Sequence, residues 1–109
     1  CLSDLPDYSQ KILRYNITDE KLVVNGYVEN NTDTDLSGVS VLAVYDSKGT
    51  LKALTSGDTY VYKYDSTSVD LTIEDYTHEN GDYIKLFLWT DLKSIVPVCE
   101  AEYSAVIKE

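Results

Sequence analysis

The side chains that most often carry enzyme chemistry are few in this sequence, or poorly spaced for it. Its one histidine, His78, lies in a polar stretch, so a catalytic triad would have a single candidate base. The two cysteines, Cys1 and Cys99, form no Cys-x-x-Cys pattern and have no histidine at ligand spacing, which argues against the common zinc sites. Neither a glycine-rich phosphate loop nor a Gly-x-Ser-x-Gly motif occurs. We therefore expect no cofactor and no bound metal.

Carboxylates are the one abundant reactive group. A glycosidase needs two of them, held about 5 to 9.5 Å apart across a cleft, and among nineteen acidic residues many pairs would meet that distance by chance. A chain of 109 residues has little room for a deep cleft with the desolvated walls that perturb catalytic acids. The sequence therefore predicts a protein that is not an enzyme.

The acidic stretch 30–35 resembles part of a calcium loop. Asn31, Asp33 and Asp35 stand at positions one, three and five of such a loop. The sixth position of a helix-loop-helix calcium site needs Gly and the twelfth a bidentate Glu, whereas this chain has Leu36 and Leu42 there. An Asx-rich turn between two strands is the better interpretation.

A tyrosine stripe in 59–64 is the strongest candidate for ligand binding. Tyr60, Tyr62 and Tyr64 alternate along an extended segment, which spaces them by about 6.6 to 6.8 Å on one side. Coplanar exposed rings at that spacing could stack on successive sugars of a polysaccharide, with help from Tyr83. The commoner explanation is that the rings pack across strands, because tyrosine is favoured in sheets generally.

Charge and composition limit the partners. The formal net charge is -10, and the basic residues are scattered singly, so phosphate backbones and anionic membranes would be repelled. No apolar run approaches the roughly 20 residues that span a bilayer. We expect a monomer with no nucleic-acid partner and no membrane insertion. Ten tyrosines among many Thr, Ser, Asp and Asn residues suit an extracellular or cell-surface β-protein.

Two environments are open to the cysteines. In an oxidising compartment Cys1 and Cys99 could pair and tie the N-terminus to the last strand. Alternatively, Cys99 stays free and acts as a small apolar side chain within a strand. The second interpretation is favoured, because Cys1 stands at a chain end where fraying is expected.

The element that orders the chain is the stretch 82–97. Ile84, Leu86 and Leu88 would face one side of a strand and Tyr83, Phe87 and Trp89 the other. Such a strand must be covered on both sides, which predicts a two-layer, all-β body of about seven to nine strands. The predicted strands span 11–18, 21–29, 37–46, 50–55, 59–64, 66–74, 82–89 and 98–107. Residues 1–10 would be an N-terminal leader, and 11–109 a single β-sandwich domain.

One short helical turn is predicted near 91–96. Thr90 or Asp91 would serve as its N-cap, and Pro97 would prevent the helix from continuing.

Three segments carry a resemblance to a known group of modules: 26–32 (GYVENNT), 44–49 (VYDSKG), and 84–92 (IKLFLWTDL) with 95–97 (IVP). Together they resemble immunoglobulin-like or fibronectin-like accessory modules of secreted and cell-surface proteins of anaerobic Gram-positive bacteria, which are often found beside carbohydrate-active domains. The similarity covers about residues 20–100. Ile95 departs from it, because Met is usual there.

The resemblance implies an immunoglobulin-like antiparallel β-sandwich. It also implies that Trp89 closes the sandwich, with Phe87 and Pro97 as further structural residues. It transfers no ligand site, because its motifs are structural.

Three hypotheses of function follow. The first is a non-catalytic extracellular module that acts as a spacer or interaction domain for neighbouring domains of a modular protein, with a buried Trp89 and no deep pocket. The second is a carbohydrate-binding module that uses the tyrosine stripe. The third is an adhesin or assembly subunit that pairs through an exposed edge strand, either the first strand or 59–64.

Overall fold

The protein is all-β over the residues that the structure, a computed structural model, describes, which are 5–108. Alternating apolar and polar residues produce seven strands in that range, and no helix forms there. The strands are β1 (Tyr8–Thr18), β2 (Lys21–Asn30), β3 (Leu36–Tyr45), β4 (Leu51–Val61), β5 (Ser66–Ile73), β6 (Tyr83–Trp89) and β7 (Glu102–Ala105). Residues 5–108 accordingly hold no helix long and apolar enough to cross a membrane.

The strands form two antiparallel sheets that pack as a sandwich. One sheet has the order β1-β2-β5, and the other has the order β4-β3-β6-β7. The number of strands and the two-layer arrangement confirm the predicted all-β, antiparallel sandwich, at the lower end of the predicted strand count. In the second sheet β3 pairs along its length with both β4 and β6, so these two contacts define its centre.

The core lies between the two sheets and is filled by aliphatic side chains. From β6 it takes Ile84, Leu86 and Leu88, none of which is more than 1% exposed. Burying each such side chain contributes roughly 1.5 to 3 kcal/mol of transfer free energy. The core residues of the opposite sheet that are most deeply buried are Leu22, Val24 and Val28. The segment 82–97 therefore contributes its aliphatic face to the core.

The aromatic face of β6 points away from the core, which corrects the expectation of a buried Trp89. Phe87 and Trp89 are only half-buried, because the period of two that sends Leu86 and Leu88 inward sends them outward. Their rings lie 5.2 Å apart on that outer surface. Trp89 also forms an isolated antiparallel bridge with Pro97. The contribution of Phe87, Trp89 and Pro97 to stability stays a prediction.

The predicted helical turn at 91–96 is wrong, since this segment folds as a tight reversal. Oδ1 of Asp91 does accept hydrogen bonds from the amides of Lys93 (2.8 Å) and Ser94 (2.6 Å), as a helix cap would. The next residue in the chain, Ile95, adopts a left-handed φ of 53°. The amide of Thr90 then bonds the carbonyl of Val96. These contacts turn the chain back before a helix can propagate.

The first strand is fastened to the C-terminal part of the chain. The buried Gln10 donates from Nε2 to the carbonyls of Leu86 (3.0 Å) and Glu100 (2.8 Å). The hydroxyl of Tyr15 accepts a hydrogen bond from the amide of Ile107 at 3.0 Å. These bonds join an edge of one sheet to an edge of the other. They also place residues 8–10, which the sequence assigned to the leader, within β1.

Cys1 lies outside the described residues, and so does any pairing with Cys99. Cys99 itself is half-buried and packs, together with Val98, against a core cluster made up of Val28, Leu36, Val61, Val69 and Leu88.

Candidate functional site

The tyrosine stripe does not form a coplanar row. Tyr60 lies on β4, and Tyr62 follows just after the strand ends. Their rings are 5.2 Å apart but meet edge to face at 72°. Tyr64 sits in the turn beyond the strand with a φ of 53°, so it leaves the line of the other two. The three rings are solvent-exposed, as a sugar platform requires, but their planes are not aligned.

The hydroxyl of Tyr60 is already engaged. It donates to Oδ2 of Asp35 at 2.9 Å, while Oδ1 of Asp35 accepts from the amide of Lys63. The bond to Asp35 raises the pKa of Tyr60, and the bonds from Lys63 and Tyr60 lower the pKa of Asp35. The contact fixes the 62–65 turn against the loop before β3.

Tyr83 is far from the other three predicted residues. It pairs with Tyr45, whereas Tyr60 pairs with Ser37 at the other end of β3. Eight residues of strand separate these pairs, which corresponds to about 26 Å. Tyr83 instead stacks on Tyr45, with ring centroids 5.2 Å apart and planes inclined by 18°. The four predicted residues therefore do not form one site.

The structure does bring together a different set of residues, on the outer surface of the four-stranded sheet. Cross-strand partners share a face, and the register aligns Leu54, Ala43, Lys85 and Tyr103 in one row across all four strands. We call this surface the aromatic face. It comprises Val39, Val41, Ala43, Tyr45, Leu54, Tyr83, Lys85, Phe87, Trp89 and Tyr103. Ser56 and Asp58, the β4 partners of Val41 and Val39, are polar and exposed along one edge of it.

A single cation lies among the rings of the aromatic face. Nζ of Lys85 is 4.8 Å from the ring centroid of Tyr103 and 5.2 Å from that of Tyr45. An ammonium over an aromatic ring is attracted by the negative charge of the ring face. Lys85, Tyr45 and Tyr103 were not among the predicted site residues. The sequence could have placed Lys85 on the same face as Tyr83 and Phe87, because the three residues alternate along β6.

The outer surface of the three-stranded sheet is different in character. Apart from Val23, Tyr27 and the exposed Leu13, which is unpaired at a bulge in β1, the outward positions of these strands are polar. They are Ser9, Lys11, Arg14, Asn16, Thr18, Lys21, Asn25, Glu29, Ser66, Ser68, Asp70 and Thr72. That surface is typical of a sheet that faces water. The sandwich therefore has one polar side and one aromatic side.

A cluster of titratable side chains surrounds the buried Asp82. Its Oδ2 accepts from Nζ of Lys52 (2.6 Å), from Oη of Tyr76 (2.7 Å) and from the amide of Glu79 (3.1 Å). Burial acts to raise the pKa of Asp82, but these hydrogen bonds outweigh it and hold the pKa below its usual value. Burial, together with the bond to Asp82, raises the pKa of Tyr76. The cluster ties the 74–82 connection to β4.

Apart from Asp82, no carboxylate that lines a surface groove of the described residues is buried, including Asp19 and Glu20 in a groove of about 300 Å³ and Glu29 and Asp65 in one of about 200 Å³. A groove of about 630 Å³ near the 78–83 loop contains one carboxylate, Asp82, whose Oδ2 holds Lys52 and Tyr76. A second groove, of about 530 Å³, is rimmed by Asp7, Glu100 and Glu102 at positions that water reaches. Within residues 5–108, no group of three or more His, Cys, Asp or Glu side chains is placed to hold a metal ion.

Comparison with known proteins relates the chain to parts of longer chains. No protein-family model and no curated protein sequence matches it. The solved structures with a similar fold include three glycosidases. They are a beta-glucosidase from Kluyveromyces marxianus (16% identity, TM-score 0.57), Bacteroides uniformis beta-glucuronidase 2 (11%, 0.61) and the GH3 beta-glucosidase of Bifidobacterium adolescentis (12%, 0.55).

These matches cover 93%, 91% and 91% of this chain, but only 14%, 13% and 17% of the respective glycosidase chains. At such low identity the likeness shows a shared fold. The chain thus corresponds in fold to a minor portion of each of these enzymes.

Proposed function

We propose that this chain is a non-catalytic accessory module of a larger, carbohydrate-processing protein at the cell surface or outside the cell, where it spaces or supports neighbouring domains. The observation that carries the proposal is the extent of the structural match, since almost the whole chain corresponds to about one seventh of each similar glycosidase. The grooves of the described residues support it further, because none joins two desolvated carboxylates.

The strand order supports an immunoglobulin-like sandwich in which the fourth strand belongs to the opposite sheet. In constant-type immunoglobulin domains the fourth strand belongs to the sheet of the first, second and fifth strands. Here β4 pairs with β3 in the opposite sheet, which leaves three strands facing four. We assign this topology to the immunoglobulin-like or fibronectin-like group that the sequence resembles.

The test of the proposed function compares three proteins: the isolated chain, the longer polypeptide that contains it, and that polypeptide without residues 5–108. The isolated chain should release no product from a panel of aryl glycosides. Deleting the module should lower the melting temperature of the polypeptide, while turnover per folded molecule stays within about twofold. If the isolated chain hydrolyses a substrate and a blank preparation without the protein does not, the chain is an enzyme.

A carbohydrate-binding role is the second candidate, because Tyr60, Tyr62 and Tyr64 are exposed. Affinity electrophoresis against plant and bacterial polysaccharides tests it, with Tyr62→Ala as the variant. The misaligned ring planes favour unchanged mobility of both proteins. Retardation of the native chain that Tyr62→Ala removes would establish sugar binding instead. Pairing through an edge strand stays a prediction, and a molar-mass measurement on the isolated chain tests it.

A further inference from the structure

We infer that the aromatic face is the docking surface for a neighbouring protein domain of the same polypeptide, and that this domain presents an apolar surface with a carboxylate opposite Lys85. The inference rests on the proposed function, which it deepens by naming the surface and the chemistry of the partner.

The first argument is that the central strands are built for cover on both sides. β3 is apolar at successive positions from Val41 to Val44, a pattern typical of strands that are buried on both faces. The opposite sheet covers its inner face. On the outer face, Leu54 is 57% exposed and Tyr103 is 61% exposed. Val41 and Ala43, on the same outer side of β3, are buried by their neighbours, so the apolar surface left open to a partner lies at the half-buried rings of β6 and at Leu54 and Tyr103.

The second argument is the contrast between the two outer surfaces. Both sheets belong to the same acidic chain, yet only one of them carries a contiguous set of rings and aliphatic side chains. Contiguous exposed apolar surface marks interaction sites, whereas apolar residues that are scattered singly do not. The polar outer surface of the three-stranded sheet serves as an internal reference for a water-facing side.

The third argument distinguishes a protein from a sugar as the occupant. A sugar platform needs ring faces that are open to the ligand. Here the rings of Tyr45 and Tyr83 stack on each other, and Nζ of Lys85 lies over Tyr45 and Tyr103. The rings of Phe87 and Trp89 are tilted against each other by 36°. The rings thus present their edges as well as their faces to the outside, an irregular surface that suits the interdigitated side chains of a protein partner.

The fourth argument concerns charge. No carboxylate of residues 5–108 forms an ion pair with Lys85. A partner that covered the face without supplying an acceptor would bury an unpaired ammonium, which is costly. The neighbouring domain must therefore place a carboxylate there. A second copy of this chain is disfavoured as the occupant, because two chains of net charge -10 repel each other.

Hydroxyl-radical footprinting of the longer polypeptide against the isolated chain tests the inference. The oxidation rates of Leu54 and Tyr103 should fall at least fivefold in the longer polypeptide. Leu13, on β1 of the other sheet, is the matched reference, because it is 58% exposed against 57% for Leu54. Its rate should not change. Equal rates for Leu54 and Tyr103 in the two proteins, or protection of Leu13 alone, would overturn the inference.

Variants of the longer polypeptide then test the chemistry. Leu54→Asp and Lys85→Glu should return Tyr103 to the oxidation rate of the isolated chain, whereas Leu13→Asp and Lys85→Arg should leave it protected. Circular dichroism confirms that each variant is folded. If Lys85→Glu keeps Tyr103 protected, the partner carboxylate is refuted.

The other occupants are separate outcomes. If the isolated chain has the mass of a dimer and shows the same footprint, the occupant is a second copy of the chain. If a soluble polysaccharide protects Tyr103 of the isolated chain, the occupant is a sugar. All these results are distinct from failure of the proposed function, which is judged by hydrolysis and by deletion of the module.

Discussion

Nζ of Lys52 lies 2.6 Å from Oδ2 of Asp82, whose side chain is completely buried. Lys52 belongs to β4 at the edge of its sheet, and Asp82 immediately precedes β6, two strands away. The pair spans the end of the sandwich beneath the 74–82 connection. Nζ of Lys52 also donates to the carbonyl of Thr77 and to Oε1 of Glu79 within that connection. One lysine thus fastens an irregular segment to an edge strand.

Replacing Asp82 by Asn should destabilise the domain by about 3 kcal/mol, because removing one member of a buried ion pair leaves the other without its counter-charge. Chemical denaturation at pH 7 measures the change. Asp58→Asn, at an exposed position of β4, is the control and should alter the free energy of unfolding by less than about 0.5 kcal/mol. Equal effects of the two substitutions would contradict a stabilising role for the pair.

The stability that Asp82 contributes should depend on pH in the acid range. Its pKa is lowered in the folded state, so its contribution is complete above the ordinary value of 3.8 and is lost as the pH falls through the lower, folded pKa. The difference in unfolding free energy between the native chain and Asp82→Asn should therefore be constant near neutrality and shrink below about pH 4. Urea denaturation across this range measures it, and a difference that grew on acidification would refute the assignment.

The loop before β6 should tolerate no side chain at Gly81. This residue has a φ of 88°, and a Cβ there would lie 2.6 Å from Cβ of Ser47. Gly49 has a similar φ of 84°, but a Cβ there would only make an ordinary contact, 3.7 Å from the hydroxyl of Tyr83. Gly49→Ala should cost about 1 to 2 kcal/mol from its backbone conformation alone, and Gly81→Ala should cost about 1 to 3 kcal/mol more.

Thermal and urea denaturation of both variants measure these costs. Adding Ser47→Gly to Gly81→Ala should recover part of the lost free energy of unfolding, because it removes the 2.6 Å contact and leaves the backbone Cα of residue 47 at 3.3 Å. If Gly81→Ala proves no worse than Gly49→Ala, the crowding at Ser47 has no energetic effect.

The thiol of Cys99 should react slowly in the folded protein. Burial, with help from the charges of Glu102 and Glu100, raises its pKa to about 11. The reactive thiolate is therefore scarce at pH 8. In a Cys1→Ser variant, reaction of Cys99 with an aromatic disulfide reagent should be at least tenfold slower than in the same protein unfolded in urea. Comparable rates in the two conditions would show that the thiol is accessible and ionised.

Three strands were predictable almost to the residue. The predicted segments 21–29, 66–74 and 82–89 correspond to β2, β5 and β6, which begin and end within one residue of them. β4 was harder. Ser56, Gly57 and Asp58 have turn propensity, so the sequence predicted two strands there, whereas the structure has one continuous strand. Pairing with 39–41 of β3 overrides the local preference of these residues.

The aromatic face was only partly predictable. Alternation placed Tyr83, Phe87 and Trp89 together, but both sides of β6 are apolar, so periodicity alone could not tell which side faces the core. The choice depends on the aliphatic residues of the opposite sheet. The approach of Tyr45 and Tyr103 to Lys85 depends on the register of three strands, which is a non-local property.

The bonds that join β1 to the C-terminal segment have a consequence for biosynthesis. Gln10 and Tyr15 find their partners at Glu100 and Ile107, so a chain emerging from the ribosome cannot complete the sandwich until Ile107 has left the exit tunnel. Until then β1 lacks its bonds to the C-terminal segment, and Val106 is missing from the core. A ribosome that stalls before Ile107 has left the exit tunnel should therefore leave a protease-sensitive intermediate.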